Sequence, residues 1–185
     1  MSAVPSSAAL SRRQLLQTLL VLTATAASRP GRAGEDAPPV IPSSPAIVGT
    51  RLPARTLWDA NADPVRLDAS VRAIVFTADR QASAWAYPAL AEWGAAALDQ
   101  HHVIVLVDLS AMPALITRMF ALPKLRALPF PLGLVQDAAE TADLPRQAGQ
   151  ATLIQLEALE VTDIRFLPDA AALQAALQAL PLASS

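Results

Sequence analysis

Two apolar runs, with a helical pattern between them, organise this chain. Residues 103–107 (VIVLV) are apolar without interruption and close at Asp108; a second apolar stretch runs to Val135 and ends at Gln136-Asp137. Such runs read as strands buried on both faces, as in a parallel sheet covered by helices. Between them Ser110 suits an N-cap and Pro113 a first helical turn. Leu115, Met119 and Leu122 share one helical face with Ile116 beside them, which predicts an inward-facing stripe, and Pro123 predicts the helix end. Residues 72–77 (RAIVFT) give a further buried strand. Residues 82–100 are helical by composition, with Trp85, Ala89, Trp93 and Ala96 at helical spacing and a kink expected at Pro88. The two tryptophans read as core anchors. Strand, helix and strand, joined by a right-handed crossover, form a βαβ unit.

The flanks complete the pattern. Residues 138–150 read as a polar loop. Residues 151–156 and 161–167 form an antiparallel hairpin around Glu157-Ala158-Leu159-Glu160, without an Asn-Gly turn. Asp169 can cap a last helix over residues 170–180, with Leu173, Leu177 and Leu180 inward. Ahead of the core, Leu57 and Leu67 bracket a turn-rich segment, Asp59 to Pro64, which predicts a short hairpin or extended arm. The expected fold is α/β: a central mixed sheet flanked by helices over residues 49–182, with an N-terminal arm or hairpin. Residues 34–48, holding Pro38, Pro39, Pro42 and Pro45, read as an extended Pro/Ser-rich linker.

The first 33 residues read differently. Arg12-Arg13 directly precedes an uncharged, mildly apolar segment, residues 14–28, too short to span a bilayer comfortably. Positive charge follows it at Arg29 and Arg32, and cleavage sites are offered after Ala33 and after Ala27. The expectation is a signal peptide of the twin-arginine (Tat) type, export to the periplasm of a Gram-negative bacterium, and membrane contact only through this segment before cleavage. Removing residues 1–33 takes four of the 14 basic residues and no acidic one, leaving ten against 16 and a net charge of −6. An acidic domain is a poor partner for nucleic acid. The chain has no cysteine, which removes disulfides, thiolate metal ligands and thiol nucleophiles together. His101-His102 are adjacent, so their side chains diverge, and no carboxylate lies at a ligand spacing; they read as a helix end, and no metal is expected.

The order β-α-β-α-β-β-α resembles the thioredoxin-like superfamily, and Lys124-Leu125-Arg126-Ala127-Leu128-Pro129 resembles the segment leading into the cis-proline of that family. On that resemblance Pro129 is the cis-proline, with Pro131 a competitor, and Leu128 offers backbone to a bound chain. Aligning Pro88 with the helix proline of thioredoxins puts their two active cysteines at Arg80 and Ser83, so this chain lacks the Cys-x-x-Cys pair. Ser83 also suits a helix N-cap. The stretch from Asp108 to Arg126, with GQATLIQLEAL downstream, is similar to small proteobacterial proteins that commonly carry the name FAD/FMN-containing dehydrogenase, and more distantly to YtfJ-type periplasmic proteins. The first name implies a flavin-dependent oxidoreductase. No G-x-G-x-x-G follows a strand here, so the residues favour no cofactor and point away from an enzyme, with flavin the alternative. The thioredoxin resemblance brings the loops at 80–83 and 126–129 together. Arg80, Ser83, Lys124, Arg126, Leu128 and Pro129 then border a groove for a peptide, a protein or a small anion, with no residue assigned a catalytic role. The expected function is an exported binding or accessory module without thiol redox activity.

Overall fold

A computed structural model describes residues 44–181; the expected signal peptide and most of the linker lie outside them. Seven strands form one mixed sheet in the order β2-β1-β5-β4-β3-β6-β7. β3 (Ala73–Thr77) and β4 (Val103–Asp108) pair in parallel, with Ala73 opposite Val103, and β5 (Gly133–Val135) continues that parallel set beside β4. β6 (Ala151–Glu157) and β7 (Glu160–Leu167) form the antiparallel hairpin, and β6 lies against β3. The N-terminal hairpin, β1 (Arg55–Trp58) and β2 (Pro64–Leu67), docks on β5 through Trp58 and Leu134.

Side chains alternate along the central strands and feed two cores. Ala73, Val75, Val105 and Val107 face one layer with Leu90, Leu98, Leu125, Leu173 and Leu177, so all the helices that contribute to a buried cluster lie on this face. Ile74, Phe76, Leu106 and Ile154 face the other, to whose buried cluster no α-helix of the described residues contributes. Ala46 and Leu52 of the N-terminal arm and Leu144 of the segment after β5 close it instead. Three backbone hydrogen bonds tie the arm to the β6–β7 hairpin: Gly49 N–H to Val161 O at 2.7 Å, Leu52 N–H to Leu159 O at 2.8 Å and Val161 N–H to Thr50 O at 2.8 Å. Ala46, inside the segment read as linker, is buried and donates to Asp143 O at 2.7 Å.

The helices depart from the sequence pattern in three places. α1 (Arg80–Trp93) runs through Pro88, and the break comes at Gly94, where φ 94 and ψ 149 suit only glycine; α2 (Ala95–Gln100) follows. The next helix does not stop at Pro123. It passes from α3 (Ala114–Ile116) through a π-helical turn (Thr117–Ala121) into α4 (Leu122–Arg126), with Leu122 N–H bonded to Thr117 O. That wider turn moves the carbonyls a proline ring would otherwise strike, so Pro123 opens α4 rather than ending the helix. The stripe of Leu115, Ile116 and Met119 is exposed, not inward, and Leu125 is the one buried residue of residues 114–126. Thirdly, the 138–150 segment is no plain polar loop: it holds a 3₁₀ turn (Ala138–Thr141), and Thr141, Asp143, Leu144 and Pro145 are buried. α5 (Ala170–Gln178) is capped by Asp169, which accepts from Ala172 N–H at 2.8 Å, and Leu173, Leu177 and Leu180 are buried as expected. Trp85 and Trp93 pack against the helical core.

Candidate functional site

β3 and β4 end side by side at Thr77 and Asp108, and α1 starts directly above them. The N-cap of α1 is Asp79, not Ser83. Asp79 Oδ1 accepts from Ala82 N–H at 2.8 Å, while Ser83 sits inside the first turn and its hydroxyl donates to Asp79 O at 2.8 Å. The second carboxylate oxygen of Asp79 accepts from Gly149 N–H at 2.7 Å. The loop leading into the β6–β7 hairpin is therefore the one held against the start of α1, and Gln81 lies beside Gly149.

This geometry corrects the pairing of loops expected from sequence. Pro129 leads into β5 and is trans, since the described residues contain no cis peptide bond. Trans is also the lower-energy form of any X-Pro bond, and nothing at the bend after α4 imposes the other. Arg126 points away from α1: its Nε donates to Ala60 O at 2.7 Å, in the turn between β1 and β2. Arg126 and Pro129 thus line a separate hollow of about 250 Å³ with Asp59 and Asn61.

Arg80, Ser83, Lys124 and Leu128 do come together. They border one open groove of about 760 Å³ between α1 and the helix of residues 114–126. Its walls are mostly apolar: Ala84, Pro88 and Ala91 on one side, Met112, Ile116 and Phe120 on the other. Among the described residues neither Arg80 nor Lys124 has a carboxylate partner. Tyr87, one turn after Ser83, also lines the groove, and its hydroxyl lies 3.2 Å from Thr77 Oγ1. Burial pushes the Tyr87 phenol above its ordinary value, and the Ser83 and Thr77 hydroxyls pull against that rise. It remains a protonated donor at neutral pH.

Asp108 is committed elsewhere. Arg146 Nη1 donates to its Oδ2 at 2.6 Å and Ser110 N–H to its Oδ1 at 2.8 Å, so Ser110 is a partner of Asp108 and not the cap of α3. Burial raises the Asp108 carboxyl, but Ser110 and Arg146 outweigh it and hold the group below the usual carboxylate range. Arg146 also lies over the Phe76 ring at 5.2 Å and donates to Thr141 O at 2.9 Å. His101 ends α2; its Nδ1 is 3.1 Å from Pro181 O and its ring is tilted against Trp93, far from a base position for Ser83.

The sequence reading missed Tyr87, Met112, Ile116 and Phe120 as groove residues. Tyr87 stands four residues after Ser83, on the same helical face, a spacing visible in the sequence. Ile116 was legible beside the stripe of Leu115, Met119 and Leu122 but assigned to the core, and Phe120 was not singled out.

The architecture is similar to that of the thioredoxin domain of a thiol-disulfide oxidoreductase from Bacteroides vulgatus, at 12% identity, with 72% of this chain and 96% of that chain covered and a TM-score of 0.50. It is also similar to a peroxiredoxin-like protein from Aquifex aeolicus (12% identity, 77% and 91% covered, TM-score 0.46) and a thio-disulfide isomerase from Thermus thermophilus (21%, 75% and 100%, 0.46). No protein-family model and no curated protein matches the chain. The chain has a thioredoxin-like fold. At these identities the likeness reaches no further than the fold.

Proposed function

We infer that this is an exported accessory module that binds a ligand without thiol chemistry, in the groove between α1 and residues 114–126. The observation that carries the reading is the groove itself. An open apolar cleft of about 760 Å³, with Arg80 and Lys124 on its rim and no carboxylate partner for either among the described residues, stands above the C-terminal ends of parallel strands. Ligands of open α/β sheets collect at such ends, and pockets of this size suit small molecules or short segments. The lining favours an apolar ligand that carries an anionic group. The absence of cysteine from the whole chain supports binding over disulfide exchange. The arginine pair ahead of residues 14–28 supports export by the twin-arginine route, and the resemblance to the small proteobacterial group and to YtfJ-type proteins agrees with a periplasmic place.

A flavin fits these residues poorly. Its phosphate would seek the free N–H groups at the start of α1, but Asp79 already bonds Ala82 N–H there and presents a carboxylate.

The test has two parts. Protein recovered from the exported compartment should be colourless, with a mature N-terminus near Gly34; a flavin at one per chain, or retention of residues 1–33 on cytoplasmic protein, overturns the reading. Titration with 8-anilinonaphthalene-1-sulfonate, an apolar anion, should saturate. Ala91→Phe, which fills the groove, and Arg80→Glu should each weaken it by about fivefold or more, as loss of about 1 kcal/mol implies. Unchanged affinity in both variants rejects the groove as the site.

A further inference from the structure

The helix of residues 114–126 carries a second surface, on its outer side. Leu115, Ile116, Met119 and Phe120 are 66, 42, 58 and 57% exposed, and their i, i+1, i+4, i+5 spacing sets them side by side. Exposed apolar residues usually occur singly; four together on one helix mark a contact surface. The charge carried by this stretch of the chain is of one sign. From Leu109 to Gln136 the chain holds Arg118, Lys124 and Arg126 and no acidic residue, although residues 34–185 carry a net charge of −6. All three cations are exposed.

We propose that this helix is a docking surface for an anionic phospholipid bilayer, with the four apolar side chains entering the headgroup–acyl boundary and Arg118 and Lys124 meeting lipid phosphates. Such burial reaches about 5–10 Å below the surface, the depth of one side-chain layer on a helix lying flat. A helix suits this because its own hydrogen bonds already satisfy most of its backbone, so insertion strands few amides. Long cationic side chains lie along the apolar layer and keep their charges at the phosphates. A cationic helix on an oppositely charged domain also orients the molecule: the helix faces the membrane while the acidic remainder is repelled from it. The proposal does not rest on the ligand reading of the groove, although Ile116, Phe120 and Lys124 border both surfaces.

The absence of cysteine makes a site-specific test possible on the full chain. Leu115→Cys, labelled with an environment-sensitive fluorophore, is mixed with vesicles of phosphatidylglycerol in phosphatidylcholine. Ala96→Cys, exposed on α2, serves as the control and is blind to any binding through the N-terminal segment alone. The expected result is a blue shift at residue 115 and none at residue 96, weakened by high salt and absent with pure phosphatidylcholine. Arg118→Glu with Lys124→Glu should lower partitioning by about six hundredfold, since each cation near an anionic surface contributes about fivefold and reversing each one roughly doubles its effect on a logarithmic scale. Met119→Ser with Phe120→Ser should lower it by about tenfold or more. No shift at residue 115, a shift indifferent to lipid charge, or binding unchanged in either double variant overturns the proposal. So does a dimer in solution that Phe120→Ser dissociates, because a second copy then covers the patch.

Discussion

The turn between β6 and β7 uses two residues that resist its geometry. Ala158 and Leu159 have φ of 47 and 71, both in the left-handed region, where hairpin turns of two residues usually place Asn and Gly. A side chain there costs roughly 1–2 kcal/mol. Leu159 is 6% exposed and packs in the arm-covered core, so its burial offsets the strain; Ala158 is exposed and has no such return. Ala158→Asn should therefore stabilise the fold by about 0.5–1 kcal/mol, and Leu159→Gly should destabilise it by about 1–2 kcal/mol despite relieving φ; urea denaturation of both variants measures the contrast. Asp108 gives a second expectation. Its carboxyl is depressed in the folded state, so its contribution is present above the unfolded value, about 3.9, and is lost as pH falls through the folded one. Asp108→Asn should be less stable near neutrality by about 1 kcal/mol, a modest figure because Arg146 is partly exposed. The gap to the parent should narrow as pH falls below the unfolded value and close once the folded carboxyl is protonated, in thermal melts taken across the acid range.

β1 is pinned to the segment after β5 by a buried ion pair. Arg55 Nη1 donates to Asp143 Oδ1 at 2.8 Å and to Glu140 O at 2.9 Å, while Arg55 Nε and Nη2 and Asp143 Oδ2 are buried without partners among the described residues. Desolvation on that scale makes the pair weak as a source of stability but costly to halve. Arg55→Leu alone should cost about 3–5 kcal/mol, and adding Asp143→Leu should recover much of it; a double-mutant cycle in which the losses simply add would reject this account. Neither residue stands out in the sequence, because a pairing across 88 positions leaves no local pattern. The strands were legible for the opposite reason: residues 73–77 and 103–107 are buried on both faces, and continuous burial leaves a continuous apolar run. The helix of residues 114–126 was not. Its apolar stripe has the periodicity of a core face, and periodicity reports which residues share a side, not whether protein lies against it. Pro123 misled in the same way, since a proline forbids one hydrogen bond but not the π turn that removes the conflict. The 126–129 loop is split in the site: Leu128 borders the groove with Arg80 and Ser83, Arg126 and Pro129 line the hollow beside the β1–β2 turn, and Gly149 meets the start of α1.

On the scale of the whole molecule the sheet has two unlike sides. One is closed by helices and carries the groove, while the other is closed by the arm and by the 138–146 segment. The arm is therefore a structural layer. Leu52 is 1% exposed over Ile74, Phe76 and Ile154, which are themselves fully buried, and the arm's backbone bonds join it to the hairpin at Leu159 and Val161. A chain beginning at Pro53 would lose the burial of Leu52 and Ala46 and four inter-segment backbone hydrogen bonds, and would open apolar side chains of the second core to water. Burial of one leucine contributes about 2 kcal/mol and each hydrogen bond about 1 kcal/mol net, a sum that reaches a large fraction of a total stability of roughly 5–15 kcal/mol. The truncated chain should melt at least about 10 °C lower than the parent or fail to fold. A chain beginning at Ser44 keeps every one of these contacts and should melt with the parent, as differential scanning calorimetry of the two would show. Equal melting temperatures for the Pro53 chain and the parent would mean that the second core closes without the arm.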